Sequence, residues 1–206
     1  MSEAGPGGEL DLLDWRRRVS SLYAEVRASD DPEKAWWRWT EVRDELLGSH
    51  PQSPLTEQAR AGFAGLSYFD YDPAYRVTAR IEPAEAQRIE LPGSAGASFG
   101  ATRFAKALFR LGGDDLELGL YWLEGYAGGL FVSFRDGTSG KETYGACRYL
   151  LDTVKGADLG GLPGELLLDF NFSYNPSCCY DPRWACPLAP PDNRLPIEVR
   201  AGERYA

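Results

Sequence analysis

The sequence predicts an α+β fold in which N-terminal helices pack on an antiparallel β-barrel or β-sandwich, with a Pro-rich C-terminal strap across it. Three observations carry that expectation. Apolar residues recur at steps of three and four through the first third of the chain, the helical period. After Gly65 the period falls to two, and short apolar runs alternate with turn residues. No helical pattern separates those runs, as the crossovers of a parallel sheet would require, so the strands are expected to run antiparallel.

Residues 1–8 are small and turn-forming and are expected to be a flexible tail. Residues 9–64 form a helical segment. Leu12, Trp15, Val19, Leu22, Tyr23 and Val26 fall on one face of a first helix. A second opens with Asp31 as N-cap, Pro32 at its first position and Glu33 near the positive end of the dipole, and Gly48 ends it. Trp36, Trp39, Val42 and Leu46 make its buried stripe and Trp37 lies off it, while Arg38, Glu41, Arg43 and Asp44 read as its solvated back. A third, short helix is expected from Ser53 as cap with Pro54 next, because Leu55, Ala59 and Phe63 recur every four residues.

Residues 65–206 are read as the antiparallel β domain with its C-terminal strap, forming one compact unit with the helices. Tyr75, Val77, Ala79 and Ile81 alternate with Arg76, Thr78 and Arg80, a strand with one buried face. Residues 104–111 and 116–123 flank Gly112, Gly113, Asp114 and Asp115, a hairpin signal. Residues 130–134 and 147–151 flank a loop at 135–144, and 166–172 supply the last strand. The Pro-rich chain beyond them has no period and should wrap the surface.

Composition narrows the function classes. With 206 residues, 43% of them hydrophobic and 26% charged, the chain is near the globular average and long enough for a core without staples. A net charge of -9 opposes binding to a phosphate backbone or an anionic membrane, so neither nucleic acid nor membrane is expected as a partner. No apolar run approaches the roughly 20 residues that span a bilayer. Arg16, Arg17 and Arg18 are followed by Ser20, Ser21, Glu25 and Arg27 rather than by the apolar segment of a secretory leader. A cytoplasmic location is therefore expected, with the four cysteines reduced. The sequence assigns no oligomeric state.

Several segments together carry a family resemblance. Asp136-Gly137-Thr138-Ser139-Gly140-Lys141-Glu142-Thr143-Tyr144-Gly145, Arg148-Tyr149-Leu150, Asp169-Phe170-Asn171, Tyr174-Asn175-Pro176, Cys186-Pro187-Leu188 and Asn193-Arg194-Leu195 resemble the signature of the bacterial domain of unknown function 1684 family. Ser53-Pro54-Leu55 and residues 63–69 are similar to it as well, so the resemblance spans roughly residues 40–204. It implies no established activity. It does imply that Cys178 and Cys186 match family cysteines, whereas Cys147 and Cys179 stand where the family has Gly and Ala. The first two are therefore expected to be structural and close together.

The residues themselves suggest a site. Alternation along 167–172 sends Asp169 and Asn171 to one face, about 7 Å apart, and Leu168, Phe170 and Phe172 to the other. That polar face is either solvated or the lining of a barrel mouth. Arg148 is the candidate counter-charge for Asp169, because a buried carboxylate is normally paired. With Tyr174 these residues form the expected binding site for a small polar molecule, anionic or hydroxyl-bearing. Two alternatives stand beside it: a hydrolase or transferase using carboxylate (Asp169, Glu142) or Cys178 chemistry, and a protein-interaction domain using the Trp36 and Trp37 surface.

Motifs for other chemistries are missing. Gly137 and Gly140 are too close for a Walker loop, and Lys141 is followed by Glu142, so the segment reads as a turn. Seven residues separate Cys178 from Cys186, unlike a zinc knuckle, and neither metal nor cofactor is expected. The single histidine, His50, sits at a helix exit and reads as a surface residue there.

Overall fold

The computed structural model describes residues 6–126 and 128–205. Two long helices open the chain, α1 (Pro6–Ala28) and α2 (Pro32–Ser49), followed by one short helix, α3 (Glu57–Ala61). The second begins as its capping residues dictate: the Asp31 carboxylate accepts the Lys34 N–H at 3.0 Å, with Pro32 in the first turn. Its apolar stripe docks on the chain that follows the last strand. Trp39 is fully buried, edge-on to Phe172 with ring centroids 5.3 Å apart, and the Trp36 indole donates to the Asn171 carbonyl at 3.0 Å. Trp37 stays 57% exposed.

Six strands follow: β1 (Arg76–Pro92), β2 (Ser98–Leu111), β3 (Asp114–Leu123), β4 (Gly129–Phe134), β5 (Arg148–Asp152) and β6 (Glu165–Asp169). They make one antiparallel sheet in the order β5-β4-β3-β2-β1-β6. At the β2–β3 hairpin Leu111 pairs with Asp114, leaving a two-residue turn in which Gly112 and Gly113 both take positive φ (64° and 98°). That is the turn geometry whose twist matches the flanking strands, and glycine enters it without steric cost. Register shifts in β1, β2 and the β4–β5 pair add the local bends that curl the sheet.

The curl does not close the sheet into a barrel, and the described residues form no second sheet for a sandwich: β5 and β6 remain its edges, giving a half-barrel. Among the described residues a single bridge spans the gap, where Tyr149 of β5 exchanges hydrogen bonds of 2.8 and 3.0 Å with Tyr174 beyond β6. Both faces of the sheet are covered. The larger cluster joins Leu118, Leu120, Val132 and Phe134 to the helices and to Phe170 and Phe172. The smaller one joins Leu91, Tyr121, Phe131 and Tyr149 to Leu188 and Ala189 of the C-terminal chain. The buried Asn193 side chain holds that chain down through hydrogen bonds to both backbone groups of Gly119 and to the Ser133 carbonyl.

Four sequence expectations are revised. Of the predicted tail, residues 1–5 lie outside the described residues, and 6–8 belong to α1. The short helix is capped by Thr56, not Ser53, whose hydroxyl instead donates to Leu47 O and accepts from Leu55 N–H. The last strand stops at Asp169, and residues 170–172 form a 3-10 turn. Arg43 is not on the solvated back of α2: seven residues after Trp36 and four after Trp39, it lies within the stripe and its side chain is largely buried.

Trp39→Ala is expected to cost about 3–5 kcal/mol of stability, as large aromatic deletions from a packed core do. Trp37→Ala should stay within about 0.5 kcal/mol of the parent. Urea unfolding of the two variants distinguishes them, and similar losses would contradict this docking of α2.

Candidate functional site

The four predicted site residues fall in three separate neighbourhoods. Arg148 is 1% exposed, with its guanidinium 4.9 Å above the Phe134 ring. It donates to the Asp136 carboxylate at 3.3 Å, to the Val199 carbonyl at 2.9 Å and to the Ala201 carbonyl. Burial pulls its pKa down, against the opposing pull of Asp136. The Asp136 carboxylate also accepts the Val199 N–H at 2.7 Å and the Thr138 hydroxyl at 2.8 Å. Arg148 therefore ties the 135–144 loop to the C-terminal chain through both terminal nitrogens of its guanidinium, and only its buried Nε lacks a partner among the described residues.

Asp169 and Asn171 do meet, through a turn rather than strand alternation. The Asp169 carboxylate accepts the backbone and side-chain N–H groups of Asn171 at 3.1 and 2.9 Å. Its counter-charge is Arg76, at 3.2 Å, and not Arg148. Burial raises the Asp169 pKa against the hydrogen bonds from Asn171 and Arg76. Asn171 uses its amide on both backbone groups of Asp72. Both side chains are fully buried, so the pair anchors the entry to β1.

Tyr174 is elsewhere, on the wall of a cavity between α1, α2, β5 and the C-terminal chain. The cavity measures about 90 Å³, and its aromatic lining includes Trp15, Tyr23, Trp39, Tyr149, Tyr174 and Tyr180. Arg43 enters from α2, its guanidinium 4.8 Å from both the Trp39 and Tyr174 rings. It pairs at 2.7 Å with Glu203, a buried carboxylate that also accepts from Tyr180 and from the backbone and side chain of Asn175. The Arg43 charge is thus neutralised within the wall. Lys155, at the rim, lies 3.5 Å from Asp152.

Two buried residues on this wall have unused hydrogen-bonding capacity among the described residues. Asn175 is 3% exposed, and its side-chain carbonyl oxygen has no partner among the described residues. The Tyr23 hydroxyl accepts from the Trp39 indole at 3.2 Å, and its own proton has no acceptor among the described residues. Burial pushes the Tyr23 pKa up to about 12, which keeps that proton in place at neutral pH.

Sequence reasoning missed most of this site. Asn175 lay in a quoted family-like segment, and Arg43 signalled itself as a charge inside an apolar stripe. Glu203, near the chain end, carried no signal.

Cys178 and Cys186 lie side by side. The Cys178 N–H donates to Cys186 Sγ at 3.3 Å, and all four cysteines are free thiols. Hydrogen bonds from the Cys186 thiol, Ser94 and Tyr144 pull Cys178 down to about 6 despite burial, while its partnership with Cys178 and burial push Cys186 up. Among the described residues no group of three or more His, Cys, Asp or Glu side chains is arranged to hold a metal ion.

The other candidate chemistries find little geometry. His50 is buried rather than on the surface: its Nδ1 accepts the Gln52 N–H at 3.0 Å, so Nε2 donates to Asp14 at 3.3 Å. With both nitrogens engaged, neither is bonded to a hydroxyl or thiol nucleophile. Glu142 is paired with Arg200 at 3.1 Å. Trp36 is buried, so an interaction surface built on Trp36 and Trp37 reduces to Trp37 alone. No helix among the described residues is long and apolar enough to cross a membrane.

Comparison with known proteins agrees with this architecture. The family model described as "Protein of unknown function (DUF1684)" matches residues 61–204. The solution NMR structure of an uncharacterized protein of Haloarcula marismortui is similar at 34% sequence identity and a TM-score of 0.60, over 84% of this chain and 93% of that one. No curated protein matches the sequence.

Arg148→Ala should cost about 3–5 kcal/mol, because it leaves Asp136 buried without its counter-charge. A chemically induced unfolding curve close to the parent's would show that the network is dispensable. Iodoacetamide should alkylate Cys178 with a rate that rises through a midpoint near pH 6, since only the thiolate reacts. A midpoint at the ordinary thiol value would remove the hydrogen-bonded thiolate.

Proposed function

The chain belongs to the DUF1684 family of proteins of unknown function, and we propose that it binds a small, neutral, hydroxyl- or amine-bearing molecule in the cavity between its helices and β5. One observation carries this reading: the unpartnered Asn175 carbonyl oxygen on the wall of an aromatic cavity. A buried acceptor without a donor costs about 1–3 kcal/mol, which a ligand N–H or O–H recovers on binding. The Tyr23 proton offers the complementary donor, and the aromatic walls supply the apolar contact that small-molecule sites use. Neutralisation of Arg43 by Glu203 argues for a neutral ligand over an anionic one.

The rest of the molecule fits this role. Residues of the 9–64 segment and of the 65–206 segment wall the same cavity, which supports reading them as one compact unit. In this reading the Pro-rich C-terminal chain acts as the strap that closes the cavity, and the reduced cysteines suit a cytoplasmic protein.

A second reading, thiol-based group transfer, rests on the Cys178 thiolate, with Cys186 on the wall of an adjoining concavity of about 260 Å³. It requires that p-nitrophenyl acetate leave an acetyl adduct on Cys178 in the intact protein and none in Cys178→Ser. Slow, unselective labelling of all four cysteines would dismiss it.

For the binding reading, phenol, acetamide and glycerol are suitable probes in thermal denaturation, because they are neutral at pH 7 and a cavity of this size holds only a few non-hydrogen atoms. At least one should raise the midpoint in the parent protein. Asn175→Ala and Tyr23→Phe should each weaken that probe about tenfold or more, the worth of one buried hydrogen bond. Retention of full affinity in both variants would reject the cavity as the site.

A further inference from the structure

A different concavity holds charge that the protein leaves uncompensated. Arg135 follows β4 and Arg194 lies in the C-terminal chain, and backbone pairing sets them side by side as a parallel bridge. The Arg135 N–H donates to Asn193 O at 2.9 Å and the Leu195 N–H donates to Arg135 O at 2.8 Å. Like charges held on directly paired positions destabilise one another. Neither guanidinium has an ion pair or a side-chain hydrogen bond among the described residues, and the buried Nε of Arg135 is without a partner.

This is anomalous for the chain. It has 31 acidic residues against 22 basic ones, and of the other buried or half-buried arginines, those at 43, 76, 103 and 148 each hold a carboxylate, while Arg60 donates to the His50 carbonyl. The nearest acids in sequence are both engaged: Asp136 by Arg148 at 3.3 Å, and Asp192 by Arg103 at 3.1 Å and by the Tyr121 hydroxyl at 2.8 Å. Arg135 and Arg194 line one concavity of about 390 Å³ with no acidic residue in its wall, whose remaining surface is Pro92, Ala146 and residues 188–191. That volume is within the range of small-molecule sites, about 300–1,000 Å³.

We propose that this concavity binds the phosphate of a small phosphate monoester, with the ester's apolar body against Leu188 and Pro190. Charge selects phosphate over carboxylate. Two free guanidinium groups present two positive charges, and a phosphate monoester carries about −1.5 to −2 at pH 7, whereas a carboxylate would leave one arginine unneutralised. Geometry agrees, since guanidinium forks engage phosphate oxygens in pairs and two forks suit three terminal oxygens. The site shares no lining residue with the helix–sheet cavity, so it stands independently of the function proposed above.

Isothermal titration calorimetry of the full chain at fixed ionic strength tests it, using phenyl phosphate, inorganic phosphate and benzoate. Phenyl phosphate should bind more tightly than either comparator, and R194Q should weaken it at least tenfold. Arg194 is exposed and its side chain makes no hydrogen bond or ion pair among the described residues, so R194Q is expected to fold as the parent does. R135Q should show a similar loss, with an unchanged circular dichroism spectrum because the bridge uses only backbone groups. No heat with phenyl phosphate at millimolar concentration, or equal affinity in parent and R194Q, overturns the site. Benzoate binding as tightly overturns the choice of phosphate, and inorganic phosphate binding as tightly overturns the monoester.

Discussion

The buried carboxylate of Glu203 sets a condition that the helices and the C-terminal chain meet together. A carboxylate removed from water is costly unless it is paired and hydrogen-bonded. Glu203 receives the Arg43 guanidinium from α2, both N–H groups of Asn175 from the chain beyond β6, and the Tyr180 hydroxyl. Those partners are far apart in sequence. They satisfy Glu203 only when α2, the segment after β6 and the chain end are packed against one another, and the aromatic cavity is the space that this packing encloses. Arg43, held between two rings, is both the counter-ion and part of the cavity wall.

A second buried pair performs the same task on the far side of the C-terminal chain. Arg148 and Asp136 are each bonded to backbone groups of residues 199–201, so the loop after β4, the edge strand β5 and the C-terminal chain are fixed relative to one another. At Gly202 the chain approaches the turn after β6 so closely that a Cβ would collide with Ser173 and the Phe170 carbonyl, and φ of 78° is available to glycine at low cost. The half-barrel is therefore completed by polar clamps and one bridge rather than by strand pairing. The family match begins at residue 61, which places Tyr149, Tyr174, Asn175 and Glu203 inside it and Trp39 and Arg43 outside. The cavity joins wall residues from both parts of the chain.

The two concavities separate two chemistries by how each treats its cations. At the helix–sheet cavity Arg43 is neutralised, and the wall keeps an amide oxygen and a phenol proton without partners among the described residues. At the concavity beside Pro92 two guanidinium groups remain free. The difference lies in pairing, because both sites draw arginine from a chain that is acidic as a whole.

By itself the sequence determined the elements whose signals are local. The cap at Asp31–Pro32, the Trp36 and Trp39 stripe, the glycine hairpin and the period-two strands depend on nearest neighbours, and each is found close to its expected place. The end of β6 escaped because Asp169 and Asn171 alternate as in a strand while their side chains close a turn. Tertiary structure alone decided which charges meet. Arg148 chose Asp136 and Asp169 chose Arg76, and the distant Glu203 claimed Arg43. Pairing of buried charges is settled by which segments share a desolvated space, and contacts spanning up to 160 residues leave no periodic mark in the chain.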